Sequence, residues 1–490
     1  MFVITGDNLG PSSIVVASSF PLQTALGGTS VQVTSGGQTV DAIMYYSQAQ
    51  QIAAILPSNT PLGQGFVNVT YNGKTNGAPI LIVQNNVAMY TISQNGAGDA
   101  VATLADYSVV LPNNAANPGD IIVFWADGLG PVQSDEAKPA PAADMTSVPL
   151  EVYIGGKPAT VLYRGRNPCC VSEDQINVRI PQDVLGCAVS VTMKIGELVS
   201  NTTTIPIAAA GRICTPTNSA FSQSDVARLL GKPSLNIGTV HLLRTVIGSP
   251  SANPGFRDSV QAGFTTEAAP TSLVLDTYAD IPSYGSCITF IASVPLSGFL
   301  EQFRDAGDSI GESGPNGNLA LAKQVYSNGP LYSTPYTTTP YLDPGSYTIT
   351  GTGGPDIGAF RLNLSMPPAL VWTNYGQATT IDRTLGVTVA WTGGDPSDYV
   401  MIIGLSYGDH PAGTSNYAAQ FTCYARASDG GFTVPPYVLL ALPVSGTASG
   451  IQPSLLQVTG TSAPVAFQAS GQDLGWGSSS VSNSATVVYR

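Results

Sequence analysis

One pattern in the 490-residue chain is written twice, and this constrains the fold more than any other feature. "VITGDNLGP" at Val3–Pro11 returns as "VFWADGLGP" at Val123–Pro131. "LGGTSVQVTSGGQTVDAIMYYS" returns as "VPLEVYIGGKPATVLYRG", and "QQIAAILP" at Gln50–Pro57 returns as "DQINVRIP" at Asp174–Pro181. "GFVNVTYNGKTNG" at Gly65–Gly77 returns as "AVSVTMKIGELVSN" at Ala188–Asn201. The offset stays at about 120 to 125 residues, so each copy is a structural unit of one domain's length.

Within each copy, runs such as "VQV", "VNVTY", "LEVYI" and "VSVTMKI" alternate apolar and polar residues and stop at Gly, Asn or Pro. Period two with one buried face is the signature of antiparallel strands in a sandwich. Composition agrees: 10% charged residues, 53 Gly and 37 Pro describe strands joined by many turns, and 43% apolar residues suffice for real cores. The stretch Asn85–Asp120 between the copies carries further strand-like pieces and is expected to pack on the second copy.

These motifs, in order and twice over, resemble the tandem Ig-like (IPT/TIG-related) domains of secreted bacterial proteins, a type abundant in acidobacteria. The resemblance covers residues 1–210. It implies Ig-like sandwiches in an exported protein and no catalytic residue. Later segments, "YLDPGSYTITGTGG" and "LGVTVAWTGGDPSDYVMI", resemble more loosely the β regions that follow such repeats and imply no activity.

The expected organisation is all-β: an Ig-like sandwich over 1–85, a connecting β segment over 86–121, and a second Ig-like sandwich over 122–210. A β-sandwich with a short N-terminal helix follows over 211–370, then a C-terminal β-sandwich over 371–490; one larger sandwich would also fit. The helix is expected in "FSQSDVARLLGKP", capped by Ser222 or Ser224, with Val226, Leu229 and Leu230 facing inward.

With 18 Lys and Arg against 31 Asp and Glu, the net charge is −13. A chain so acidic does not neutralise nucleic-acid phosphate or dock on anionic lipid by charge. No apolar run is long enough to span a bilayer. "MFVITGDNLG" has neither the basic region nor the apolar core of a signal peptide, so a mature or trimmed form is expected.

Half of the six cysteines lie in "RNPCCVSEDQINVRIPQDVLGC", Arg166–Cys187. Adjacent Cys169 and Cys170, placed on a strand, would point to opposite sides and would not both ligate one metal, and no CxxC is present. An even count in an exported chain favours disulfides. The expectation is that Cys169 and Cys170 bond Cys187 and Cys214, in either order, and that Cys287 bonds Cys423. No metal or cofactor is expected.

Histidine is limited to His241, in a strand-like run, and His410, in a turn. No HExxH spacing exists, and GxSxG occurs only loosely, never between a strand and a helix. The acidic groups Asp305, Asp308 and Glu312, and Asp395 with Asp398, read as solvated turns; Ca²⁺ binding or a glycosidase pair are the sharper alternatives. Tyr326, Tyr332, Tyr336, Tyr341 and Tyr347 cluster in the sequence. Tyr332 and Tyr336 are the candidate glycan-stacking rings, against the plainer reading that tyrosines cover a sandwich edge. Asn-x-Ser/Thr occurs at Asn68, Asn201 and Asn363.

The function expected from all this is non-enzymatic: an extracellular structural protein, a subunit of a surface filament or matrix. Self-association would run through sandwich contacts or addition of a terminal strand to a neighbour. The alternative is a monomeric cell-surface adhesin or carbohydrate-binding protein.

Overall fold

Two-residue glycine turns set the strand pairing in both copies. Gly36 and Gly37 (φ 55° and 77°) connect Thr29–Ser35 to Gln38–Asp41, and Gly155 and Gly156 (φ 59° and 79°) connect Leu150–Ile154 to Lys157–Arg166. Consecutive left-handed residues match the twist of the strands they join, and only residues such as Gly or Asn adopt them without strain. A bulge follows at the same place in each copy, between Met44 and Tyr46 and again between Val161 and Tyr163. The repeat is therefore structural as well as sequential.

The computed structural model describes residues 1–214, 223–229, 232–250, 254–267, 283–292, 302–335, 337, 339–408, 417–446 and 453–490. The chain is almost entirely β, built as packed β-sheets along its length. No helix among the described residues is long and apolar enough to cross a membrane.

In the first copy a four-stranded sheet (Phe2–Thr5, Gln51–Ile55, Ile43–Ser47, Val15–Val16) faces a five-stranded one built on Thr29–Ser35, Gly63–Tyr71 and Lys74–Ile82. Val31 and Val33 lie opposite Val69 and Val67, and all four meet Met44, Ile52 and Ala54 from the other sheet. That is the alternation of "VQV" and "VNV" carried into space.

In the second copy the sheet path runs through the ten-residue strand Lys157–Arg166, whose start pairs with Leu150–Ile154 and whose end pairs with Asp174–Arg179. Ala88–Met89 and Ala102–Thr103, from the connecting stretch, pair with Ile121–Asp127, so that stretch packs on the second copy. Phe124, Ile122, Ile176 and Met193 are among its fully buried side chains.

Beyond residue 232 a 14-stranded sheet runs from Cys287–Ala292 to Phe360–Met366 and draws strands from both sides of Pro368. Its middle is a parallel pair, Leu235–Ile247 with Leu474–Thr486, whose partners lie more than two hundred residues apart. A three-stranded sheet (Leu370–Trp372, Val387–Gly393, Gly431–Val434) covers one core, centred on Trp372, Trp391, Phe421 and Tyr489. A second core gathers Phe264, Tyr332, Tyr347, Phe360 and Leu362.

The expected helix forms over Gln223–Leu229 with Leu229 fully buried; Ser222 and Leu230 lie outside the described residues. A second short helix, Pro436–Leu439, went unforeseen, although paired prolines can start a helix by presetting φ and needing no N–H.

Candidate functional site

The cysteines form three bridges, and one pairing differs from expectation. Cys169 bonds Cys170, Cys187 bonds Cys214, and Cys287 bonds Cys423; no described cysteine is free. The expectation that the adjacent pair would seek separate partners assumed a strand. The strand ends at Arg166, and both cysteines sit in the following turn, where alternation of faces does not apply. The Asn167 side chain organises that turn, accepting from the Cys169 N–H (3.2 Å) and donating to Cys169 Sγ (3.0 Å). Glu173 lies close to both sulfurs, but sulfurs held in a disulfide are not thiolates and make poor metal ligands.

The Cys169–Cys170 turn borders a cleft of about 490 Å³ between the first two sandwiches. Its walls are bonded to each other. Glu136 accepts from the Ser58 N–H (3.0 Å), the Val132 N–H donates to Ser58 Oγ (2.9 Å), and the Leu22 N–H donates to Ala137 O (2.9 Å). Beneath it, fully buried Asp174 pairs with Arg166 and accepts from the Leu129 N–H (2.8 Å). Burial pushes the Asp174 carboxyl up to about 6 despite the guanidinium.

Of the tyrosine candidates, Tyr332 is fully buried, packs edge-on against Phe264, and donates its hydroxyl to Gly307 O (2.7 Å). It cannot stack on a sugar: its strand Gly329–Ser333 turns that ring into the core, as alternation allows. Tyr336 lies outside the described residues, as does His410.

The acidic candidates separate. Asp305 is held by Lys323 (2.6 Å), Asp308 is exposed, and Asp395 accepts from Ser397 in an exposed turn. Asp398 is buried and pushed up to about 6 by desolvation. The space beside it leaves no volume that a water molecule could enter, so Asp395 and Asp398 do not flank a substrate cleft. His241 is half-buried with its Nδ1 3.0 Å from Ser478 Oγ, and desolvation lowers its pKa. Asn201 is a structural tie: it accepts from the Met89 N–H (2.8 Å) and donates to Met89 O and Gly96 O.

Glu312 behaves unlike the others. It lies not in a turn but in the strand Ser309–Gly314, whose burial alternates so that Ile310 and Glu312 both face inward. The residue is 3% exposed, yet its carboxylate has no hydrogen-bond or ion-pair partner among the described residues. Desolvation raises its pKa. It lies opposite Leu319 on one neighbouring strand and Ile349 on the other. There it lines a pocket of about 310 Å³, together with Tyr341, Tyr347, Asn316, Leu319 and Thr339. Gly314 keeps this space open: a Cβ there would lie 2.2 Å from the Tyr347 ring and 2.9 Å from Glu312 Oε1. The Tyr347 hydroxyl donates to Asp343 O (2.8 Å), and Asn316 Nδ2 donates to Asp343 Oδ2 (2.9 Å). Sequence reasoning grouped Glu312 with turn carboxylates. The signal that distinguishes it is its parity with Ile310 in an alternating run.

No family model matches this chain, and no curated protein matches it. Solved structures do. The Bacteroides ovatus mixed-linkage glucan utilization locus protein SGBP-B, in complex with a mixed-linkage heptasaccharide, aligns at 11% identity over 88% of this chain and 91% of that one, with a TM-score of 0.17. Invasin, a bacterial integrin-binding protein, aligns at 12% identity over 94% and 76%, TM-score 0.14. Domains 4–9 of the surface layer protein SbsC align at 11% identity over 93% and 57%, TM-score 0.14. At TM-scores this low the likeness carries no argument about ligand or partner.

Proposed function

We propose that the chain is a non-enzymatic extracellular structural protein, a subunit of a surface filament or matrix. The observation that carries this reading is that successive sandwiches are bonded to one another rather than hung on free linkers. Besides the Ser58–Glu136 and Leu22–Ala137 contacts, Tyr153 of the second sandwich stacks on Tyr437 (ring centroids 4.0 Å), and Thr202 Oγ1 meets Thr289 Oγ1 at 2.6 Å. Such a body transmits load instead of bending. The three disulfides support an oxidising exterior. The motif likeness of residues 1–210 to secreted Ig-like repeats points the same way.

Both terminal strands are engaged within the chain: Phe2–Thr5 pairs with Gln51–Ile55, and Val488–Tyr489 with Thr380–Ile381. These two strands are therefore already paired, and assembly would use sandwich edges. One such edge is Lys74–Ile82, which pairs with Gly63–Tyr71 and has no strand on its other side among the described residues. Negative-stain microscopy at high protein concentration tests the reading. End-to-end or lateral fibres are expected, and strictly monomeric particles would count against it.

The second reading, a monomeric adhesin or carbohydrate-binding protein, is favoured by the Glu312 pocket with its two tyrosines. A broad glycan array with Tyr341→Ala as control tests it, since Tyr332 is buried. An array without hits removes it.

A further inference from the structure

The Glu312 pocket has features that a neutral sugar does not explain. A buried carboxylate costs free energy unless a charge or several donors compensate it, and Glu312 has neither among the described residues. An inward-facing leucine would fill the position without that cost. The strand alternation puts Ile310 two residues away on the same face, so the site is built for an apolar side chain and holds an acid instead. Among the described residues the pocket walls supply no cation: the lining contains no Lys, Arg or His. What they supply is the rings of Tyr341 and Tyr347, whose hydroxyls are already spent on Thr334 Oγ1 and Asp343 O. The ring faces and the carboxylate are what remain to offer a ligand. Asp343, bonded by Asn316 of the lining, lies 3.9 Å from Arg244 Nη2 and so is already paired with a cation, unlike Glu312.

We propose that this pocket binds an organic cation, a primary ammonium or guanidinium on a short apolar stem, with Glu312 as its counter-ion and the tyrosine rings around the stem. An ammonium meeting a desolvated carboxylate forms a charge-assisted hydrogen bond, and aromatic faces attract cations that have left water. A volume of about 310 Å³ suits a stem the size of a lysine side chain. The same chemistry could arrive as a free alkylamine or as a lysine or arginine side chain of a protein. The inference concerns the same pocket as the glycan reading and is distinguished from it by requiring charge on the ligand.

Titration by calorimetry and by thermal shift tests it on the full chain. The probes are n-butylammonium, Nα-acetyl-lysine methylamide, a lysine-containing pentapeptide and, as a neutral isostere, n-butanol. Saturable binding of at least one cationic probe is expected, with n-butanol at least tenfold weaker. Glu312→Gln keeps the shape and removes the charge; it should cut affinity for the cation at least tenfold and abolish the thermal shift that the cation gives the wild type. Preference for butylammonium would assign a small-molecule ligand, and preference for the pentapeptide a protein side chain. Equal binding by n-butanol, an unchanged affinity in Glu312→Gln, or no saturable binding by any cationic probe would each overturn the proposal.

Discussion

At the scale of single residues, the interior of the C-terminal region contains two buried acids with opposite solutions. Asp258 is fully buried and well partnered. Arg244 donates to it through Nε (2.9 Å) and Nη2 (2.8 Å), and the N–H groups of Tyr341 and Leu342 donate to its Oδ2 (2.7 and 2.9 Å). The bonds from Arg244, Leu342 and Tyr341 outweigh burial and hold its pKa below the usual carboxylate value. Asp258→Ala strands the guanidinium and two backbone donors together, so a loss of about 3–5 kcal/mol is expected in urea unfolding. A loss under about 1 kcal/mol would contradict the role given to the pair. Glu312 lacks all such partners, so Glu312→Gln should raise the thermal midpoint by a few degrees where Asp258→Ala lowers it. Neither environment is written locally. The sequence shows an acid in an alternating run, and the partners that decide its fate come from strands and loops up to 84 residues away.

At the scale of elements, the bridges differ in what they constrain. Cys287 and Cys423 face each other across the strands Cys287–Ala292 and Tyr417–Arg426 and close a loop of 136 residues. Cys169–Cys170 closes no loop beyond its own turn. If restriction of the unfolded chain governs, replacing Cys287 and Cys423 by alanine costs about 3–5 kcal/mol, while the same change at Cys169 and Cys170 costs under about 1 kcal/mol. Chemical denaturation of the two double variants checks this; equal losses would mean that the vicinal bridge holds the cleft wall together. The hairpins offer a second comparison. Gly155→Ala is doubly unfavourable, with φ at +59° and a Cβ 2.6 Å from Val184 Cγ1, whereas a Cβ at Gly37 meets nothing. A larger loss of thermal midpoint is expected at Gly155 than at Gly37. The repeat and its glycine turns were legible from sequence because they depend on local backbone twist. The cysteine pairing was misread because it depends on where a strand stops.

At the scale of the whole molecule, buried carboxyls set the response to pH. Burial pushes Asp174 and Asp398 up to about 6, and Asp99 in the same direction. A carboxyl whose folded pKa lies above its unfolded value near 3.8 holds its proton more tightly when folded. Its stabilising contribution is complete below the unfolded pKa and is lost as pH rises through about 6. His241 opposes this: burial lowers its pKa, so it costs stability as pH falls below its ordinary 6.5. Asp127 and Glu312 shift the same way. Five acids therefore act against one histidine, so stability should rise by about 1–3 kcal/mol between pH 7.5 and 5. Calorimetric midpoints across that range decide the matter, and a midpoint that falls steadily toward pH 5 would show that the acids are not governing.

The sequence by itself determined the all-β class, the duplicated strand-and-turn pattern, and the lack of HExxH spacing. These follow from side-chain period and backbone sterics, which act over a few residues. Only the tertiary structure decided that strands on both sides of Pro368 share one sheet, that Tyr332 is core, and that Glu312 faces a pocket without a partner. Those facts depend on which distant strands meet. The parallel pairing of Leu235–Ile247 with Leu474–Thr486 is fixed by the burial of two shared cores, a global quantity that no local pattern carries.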